Sequence, residues 1–152
     1  MKTTTITRID APADRIFFWL EDNECLKKWV PNLVEDVALV EKPEKVGSRF
    51  RQTFVEKGRE MEFLGEITEY RENERLRAHI SGDMFDLDVD YHLKPVLPDQ
   101  TELTQHTQIR FKGGFKFFAP IMRVMSIVSS RDPQAEAHAK LKAMVEAEYQ
   151  MT

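Results

Sequence analysis

The sequence predicts an α+β fold with a curved, seven-stranded antiparallel sheet around a cavity, two short helices between the first and second strands, and a long, broken carboxy-terminal helix. Three observations predict it. Residues 50–111 alternate apolar and polar side chains at the strand period. Short turn sequences, Lys57-Gly58 and Gly82-Asp83, fold that run so that like residues fall on like faces. Beyond Gly113-Gly114 the apolar spacing becomes helical.

Residues 2–9 read as the first strand. Asp10-Ala11-Pro12 follows, with a capping residue and a proline tolerated only near a helix start. The first helix carries Ile16, Phe17 and Leu20 on one face. The second runs from about Asn23 to Val30, carries Leu26 and Trp29, and stops at Pro31. Residues 34–40 form the second strand, whose facing stays open because apolar residues fall on both parities.

A two-residue turn at Lys57-Gly58 sets Phe54 opposite Met61 and Gln52 opposite Phe63 on the inner face. Val55–Glu60, Thr53–Glu62 and Arg49–Glu66 then pair outside. A two-residue turn at Gly82-Asp83 pairs Ile80 with Phe85, Ala78 with Leu87 and Leu76 with Val89. Outside, Arg77 meets Asp88, Arg75 meets Asp90 and His79 meets Asp86. A longer loop through Pro95 and Pro98 lets Tyr91 face Gln105, Val89 face Thr107 and Leu87 face Ile109, with Asp90–His106 and Asp86–Arg110 outside. The three hairpins agree on one inner surface.

Two apolar stripes follow, Phe117, Ile121, Val124, Met125 and Val128, then His138, Leu141, Met144 and Val145. At about 100° per residue, Val128 and Leu141 would stand roughly 140° apart on a straight helix. One rod cannot bury both, so a kink or break is expected at residues 129–133, where Asp132-Pro133 also reads as a fresh helix start.

At 152 residues the chain is expected to be one domain spanning residues 1–152. Its 22 basic and 26 acidic residues are interspersed and leave a net charge of −4, which argues against a nucleic-acid partner. With no apolar leader and no stretch long enough to span a bilayer, a cytoplasmic protein is expected. Cys25 is the only cysteine, so neither an internal disulfide nor a thiolate cluster can form, and it reads as inert packing.

Four stretches carry a family resemblance: residues 9–17 (IDAPADRIF) at the first strand-to-helix junction, Trp29-Val30-Pro31, Val46-Gly47-Ser48-Arg49-Phe50, and Leu141-Lys142-Ala143-Met144-Val145-Glu146. Their order and spacing resemble the helix-grip superfamily of START and birch-pollen-allergen-like proteins, known as SRPBCC, and especially its bacterial polyketide cyclase and dehydrase-like branch. The resemblance covers nearly the whole chain. It implies seven strands gripping the carboxy-terminal helix around a cavity for lipids, sterols, polyketides or other apolar molecules. Some members are enzymes, so it implies a pocket rather than a reaction.

The inner face supplies the candidate ligand contacts Phe50, Gln52, Phe54, Phe63, Phe85, Val89, Tyr91, Gln105 and Thr107, joined by Met125 and His138 from the helical region. The polar members among them either bond to one another, Tyr91 to Gln105 across the hairpin, or orient a ligand or cavity water. Asp86, Asp88 and Asp90 with His79, His92 and His106 hold the raw material of a metal site. Their register puts them outside as solvated ion pairs, and neither metal nor cofactor is expected. Residues 115–128 are either a lid, a membrane-touching segment or a packed helix.

The expected function is binding or transport of a small hydrophobic ligand, lipid-like, aromatic or polyketide-like. The first alternative is a cyclase, dehydratase or hydrolase with Tyr91 as acid and His138 as base. The second is an interaction module resembling activators of heat-shock ATPases, whose tryptophan-rich pattern near the last helix is missing here. Gln105→Leu and Tyr91→Phe are both expected to alter ligand preference more than stability.

Overall fold

At the turn between the third and fourth strands, Lys57 and Gly58 both adopt positive φ, 51° and 77°. This is the conformation that matches a two-residue hairpin to the twist of its strands. The computed structural model describes residues 1–114 and 132–152. In order these form β1 (Lys2–Ile9), α1 (Ala13–Glu21), α2 (Asn23–Trp29), β2 (Leu33–Val40), β3 (Arg49–Glu56), β4 (Arg59–Arg71), β5 (Arg75–Ser81), β6 (Phe85–Leu97), β7 (Gln100–Phe111) and α3 (Pro133–Gln150). The second apolar stripe falls on α3. The first stripe, with Met125 and the lid reading of residues 115–128, lies outside the described residues.

The seven strands form one sheet in the order β1-β7-β6-β5-β4-β3-β2, antiparallel throughout. α1 and α2 therefore carry the chain from one edge of the sheet to the other. Among the described residues, no helix is long and apolar enough to cross a membrane.

The β3–β4 register is the expected one at every pair. So is β6–β7 in its long central stretch, where Tyr91 faces Gln105 and Val89 faces Thr107. Its connection is shorter than expected, because Leu97 pairs with Gln100 across a Pro98-Asp99 turn. Pro95 lies inside β6, beside a register shift, where a missing ladder donor does least harm.

The β5–β6 register differs by two residues. Gly82 donates its N–H to Phe85 O at 3.0 Å, and Ser81 closes the hairpin opposite Asp86 rather than opposite Met84. Four residues make the connection instead of two. Ile80 therefore faces Leu87, Ala78 faces Val89 and Leu76 faces Tyr91, with His79–Asp88 and Arg77–Asp90 outside. A two-residue slip preserves side-chain parity, so every residue keeps its expected face.

The helix starts hold one correction. Pro12 occupies the N-cap of α1 without a side-chain hydrogen bond. Asp10, two residues too early to cap, instead accepts from Gln100 at 3.0 Å and donates its backbone N–H to Glu146 at 2.8 Å. At α3 the expectation holds: Asp132 accepts from the N–H groups of Gln134 and Ala135, and Pro133 sits in the first turn.

The tightest packing is at one end of the molecule. Ile9, Ile16, Phe17, Leu20, Leu103, Leu141 and Val145 are essentially inaccessible there, where α1 and α3 meet β1 and β7. Phe50, Phe54, Leu87 and Val89 are only half-buried, although they share the inner face. The concave sheet is thus filled at one end and hollow at the other.

Candidate functional site

That hollow is a cavity of about 910 Å³, bounded by β2 to β7, by α1 and α2, and by the amino-terminal turn of α3. Its wall is mainly apolar and aromatic. Trp29 closes it from α2 and stands edge-on to Tyr91, with ring centroids 6.3 Å apart.

Seven sequence-derived candidates line this cavity together: Phe50, Gln52, Phe54, Val89, Tyr91, Gln105 and Thr107. Three others do not. Phe63 and Phe85 share the inner face but belong to a stack, Phe54–Phe63–Phe85–Phe111, with successive centroids 5.5, 5.3 and 5.8 Å apart. Their rings are consumed in packing at the sheet's end, where Phe63 covers Gly82. His138 is fully buried behind the cavity wall. Met125 lies outside the described residues.

A polar seam joins that wall to α3. The inward residues of β1 include Thr5 and Thr7, and Gln134 and His138 stand one turn apart on α3. Two residues of strand and four of helix advance by similar amounts, about 6–7 Å, so both pairs meet. The Gln134 side-chain amide donates to Thr5 Oγ1 at 2.8 Å, and its oxygen accepts from Thr107 Oγ1 at 2.8 Å. Gln105 donates to Thr107 at 3.1 Å, and its oxygen lies 2.7 Å from His138 Nε2; His138 Nδ1 lies 2.9 Å from Thr7 Oγ1. Gln105 therefore bonds Thr107 and His138 rather than Tyr91. Burial holds the His138 imidazole down at about 4, against the pull of Asp132. The ring is neutral at pH 7, and both nitrogens are engaged.

Tyr91 is the reverse case. Its ring is in the wall, burial pushes its phenol above the usual range, and of the two alternatives for its hydroxyl the bond to Gln105 is not made.

Sequence reasoning missed Asp36. It stands opposite Gln52 on the β2–β3 ladder and faces the same cavity. Burial pushes its carboxyl up to about 6, against the hydrogen-bonding pull of the Gln52 side chain and the charge of Lys27. The ambiguity of β2 has a structural cause: register shifts between Leu33 and Glu35, and again between Ala38 and Val40, exchange the faces of the strand along its length. Fixing the β2–β3 pairing would have exposed Asp36.

The acidic and histidine cluster lies on the outer face, as expected. Arg75 holds Asp90 through two hydrogen bonds of 3.1 and 2.9 Å, His79 lies 2.9 Å from Asp88, Arg110 is 2.7 Å from Asp88, and Lys112 is 2.8 Å from Asp86. Cys25 is buried, with its thiol pushed up to about 11 chiefly by that burial, so it is a poor nucleophile.

A family model described as polyketide cyclase / dehydrase and lipid transport matches residues 9–132. No functionally curated protein matches the chain. Among solved structures, a protein from Thermus thermophilus is 17% identical with a TM-score of 0.76, covering 97% of this chain and 99% of its own. A START superfamily protein from Mycobacterium smegmatis is 19% identical with a TM-score of 0.74, covering 99% of each. The Zhui aromatase/cyclase from a Streptomyces species is 11% identical with a TM-score of 0.77, covering 96% of this chain and 93% of its own. At such identities the structural likeness establishes the fold alone. The family match over most of the chain, on a sheet that grips its last helix around a hollow, places this protein in the polyketide cyclase / dehydrase and lipid transport family of the SRPBCC superfamily.

Proposed function

We propose that residues 1–152 act as one domain that binds or carries a small hydrophobic molecule, lipid-like, aromatic or polyketide-like, between the sheet and α3. The observation that carries this reading is the cavity itself. Its volume of about 910 Å³ lies within the range typical of small-molecule sites, and an apolar wall with a few converging polar groups is what such sites use. Phe50, Phe54 and Val89 supply apolar contact, while Gln52, Tyr91 and Thr107 meet the polar end of the ligand. Gln105 acts from behind, because its amide is already shared between Thr107 and His138.

Cyclase, dehydratase or hydrolase chemistry in the same cavity is the second reading, favoured by the name of the aromatase/cyclase among the structural relatives. It must do without His138 as base, since that ring is neutral, enclosed and bonded on both nitrogens. Native mass spectrometry of the purified protein separates the two readings when paired with incubation of polyketide analogues. A retained apolar molecule and no turnover is the expected result. Turnover of an analogue would replace carriage by catalysis, and an empty protein that takes up no apolar probe would remove both.

A further inference from the structure

Asp36 is the one carboxyl on the sheet's inner face that the fold itself does not explain. It sits in mid-strand on β2, opposite Gln52, with its side chain on the cavity wall. Its Oδ1 is buried and has no hydrogen-bond partner. The neighbouring Asn23 donates to the backbone oxygen of Asp36 at 2.9 Å, which fastens the strand to α2 and leaves Oδ1 unserved. Lys27 on α2 is the nearest compensating charge, yet among the described residues it pairs with Glu24 at 3.0 Å and not with Asp36. Burying a carboxyl with an unmade hydrogen bond is costly, and a leucine or valine at this position would pack the same wall at no such cost. Oδ1 itself is enclosed, but the Asp36 side chain lines the cavity, so a donor supplied from the hollow meets the carboxyl there and offsets the cost of burying it.

We propose that Asp36 is the specificity-determining residue of the cavity, accepting a hydrogen bond from the hydroxyl of an otherwise apolar alcohol or phenol. The inference rests on the cavity being a binding site and adds to it the chemical class of the ligand. Three features narrow the class. The cavity that Asp36 lines is also lined by Trp29, Phe50, Phe54 and Ala38, which are apolar and suit a hydrocarbon or aromatic body. The carboxyl is mostly ionised near neutral pH, so it repels the head of a fatty or aromatic acid. Gln52, opposite Asp36, offers both a donor and an acceptor, which suits a group that donates and accepts rather than an ammonium that only donates. A neutral hydroxyl remains, with Gln52 beside Asp36 to serve its oxygen.

The test uses three probes of one shape, 2-naphthol, naphthalene and 2-naphthoate, titrated near neutral pH into the full chain and into Asp36→Leu and Asp36→Asn. The wild type is expected to bind 2-naphthol roughly tenfold more tightly than naphthalene, as one charge-assisted hydrogen bond allows, and to bind 2-naphthoate weakest. Asp36→Leu is expected to abolish the preference for naphthol. Asp36→Asn, which keeps the shape and loses the charge, is expected to narrow it and to admit naphthoate, and it decides the matter should the leucine variant fail to fold. Equal binding of naphthol and naphthalene by the wild type, or a preference that survives both substitutions, overturns the role of Asp36 and leaves the cavity reading standing. Failure of all three probes to bind the wild type overturns the cavity reading, and the role of Asp36 with it.

Discussion

The imidazole of His138 donates from Nε2 to the side-chain oxygen of Gln105 at 2.7 Å, tying α3 to β7 through the back of the cavity wall. The direction follows from the network: Gln105 spends its amide nitrogen on Thr107, so its oxygen faces the ring, and Thr7 must then donate to Nδ1. Removing the ring leaves two buried polar groups unserved. His138→Leu is therefore expected to lower stability by about 1–3 kcal/mol, read as a lower urea midpoint at unchanged slope, with His138→Gln losing less.

The same logic alters what is expected of Gln105. On the sequence alone, Gln105→Leu should change ligand preference more than stability. In the structure the leucine strands the His138 N–H and removes the bond that the Thr107 hydroxyl accepts, while that hydroxyl keeps its bond to Gln134, so a loss of stability comparable to that of His138→Leu is expected. Because the two residues share one bond, the double variant should lose less than the sum of the singles. Additive losses in a double-mutant cycle would show that the bond contributes nothing.

Two titrations of opposite sign should nearly hide one another between about pH 4 and 6.5. His138 is held down at about 4, so the unfolded chain binds its proton first, and the stability it provides is lost as pH falls from its ordinary value near 6.5 toward 4. Asp36 is pushed up to about 6, so the folded chain binds its proton first, and stability is lost as pH rises from about 4 through 6. Asp36→Asn should therefore make acid destabilisation steeper across this window, and His138→Gln should make it shallower or reverse it. Thermal melts at a series of pH values check both, and parallel curves for the two variants would contradict the assignment.

Phe50 and Gly65 face one another across β3 and β4, and the phenyl ring lies where a side chain at Gly65 would begin. A Cβ built there would overlap the ring. Gly65→Ala must therefore push Phe50 off its seat and into the cavity, at a cost of about 1–3 kcal/mol and with loss of room for ligand. Shrinking the ring should repair both effects, so Gly65→Ala combined with Phe50→Leu is expected to recover stability and apolar-probe binding. Failure of the second change to help would mean the glycine is needed for another reason.

The sheet is legible in the sequence because parity survives small errors. The turn residues at Gly82 suggest a two-residue connection where the structure has four, yet Ala78, Ile80, Leu87 and Val89 all keep their faces, since the slip is an even number of residues. β2 is illegible for the complementary reason. Each of its register shifts displaces the strand by one residue and reverses its faces, which local alternation cannot reveal, and the carboxyl with the unserved oxygen lies on that strand. Gln134 escapes notice in another way. Nothing in an amphipathic helix marks its first-turn glutamine as a partner of Thr5 and Thr107, because that meeting depends on where α3 lands on β1 and β7.

Tyr91 separates ligand recognition from stability more cleanly than Gln105 does. Its ring is fixed in the wall against Trp29, and it faces Gln105 across the β6–β7 ladder without bonding it. Tyr91→Phe keeps the ring and its packing, so a stability change within about 0.5 kcal/mol is expected. What the substitution removes is a protonated hydroxyl at the cavity surface, able both to donate to a ligand oxygen and to accept from a ligand hydroxyl. Paired titrations of an apolar ketone and its parent hydrocarbon should therefore show the variant losing affinity for the ketone and keeping it for the hydrocarbon. Equal losses for both would assign Tyr91 to packing, and the polar end of the cavity would then consist of Asp36, Gln52 and Thr107.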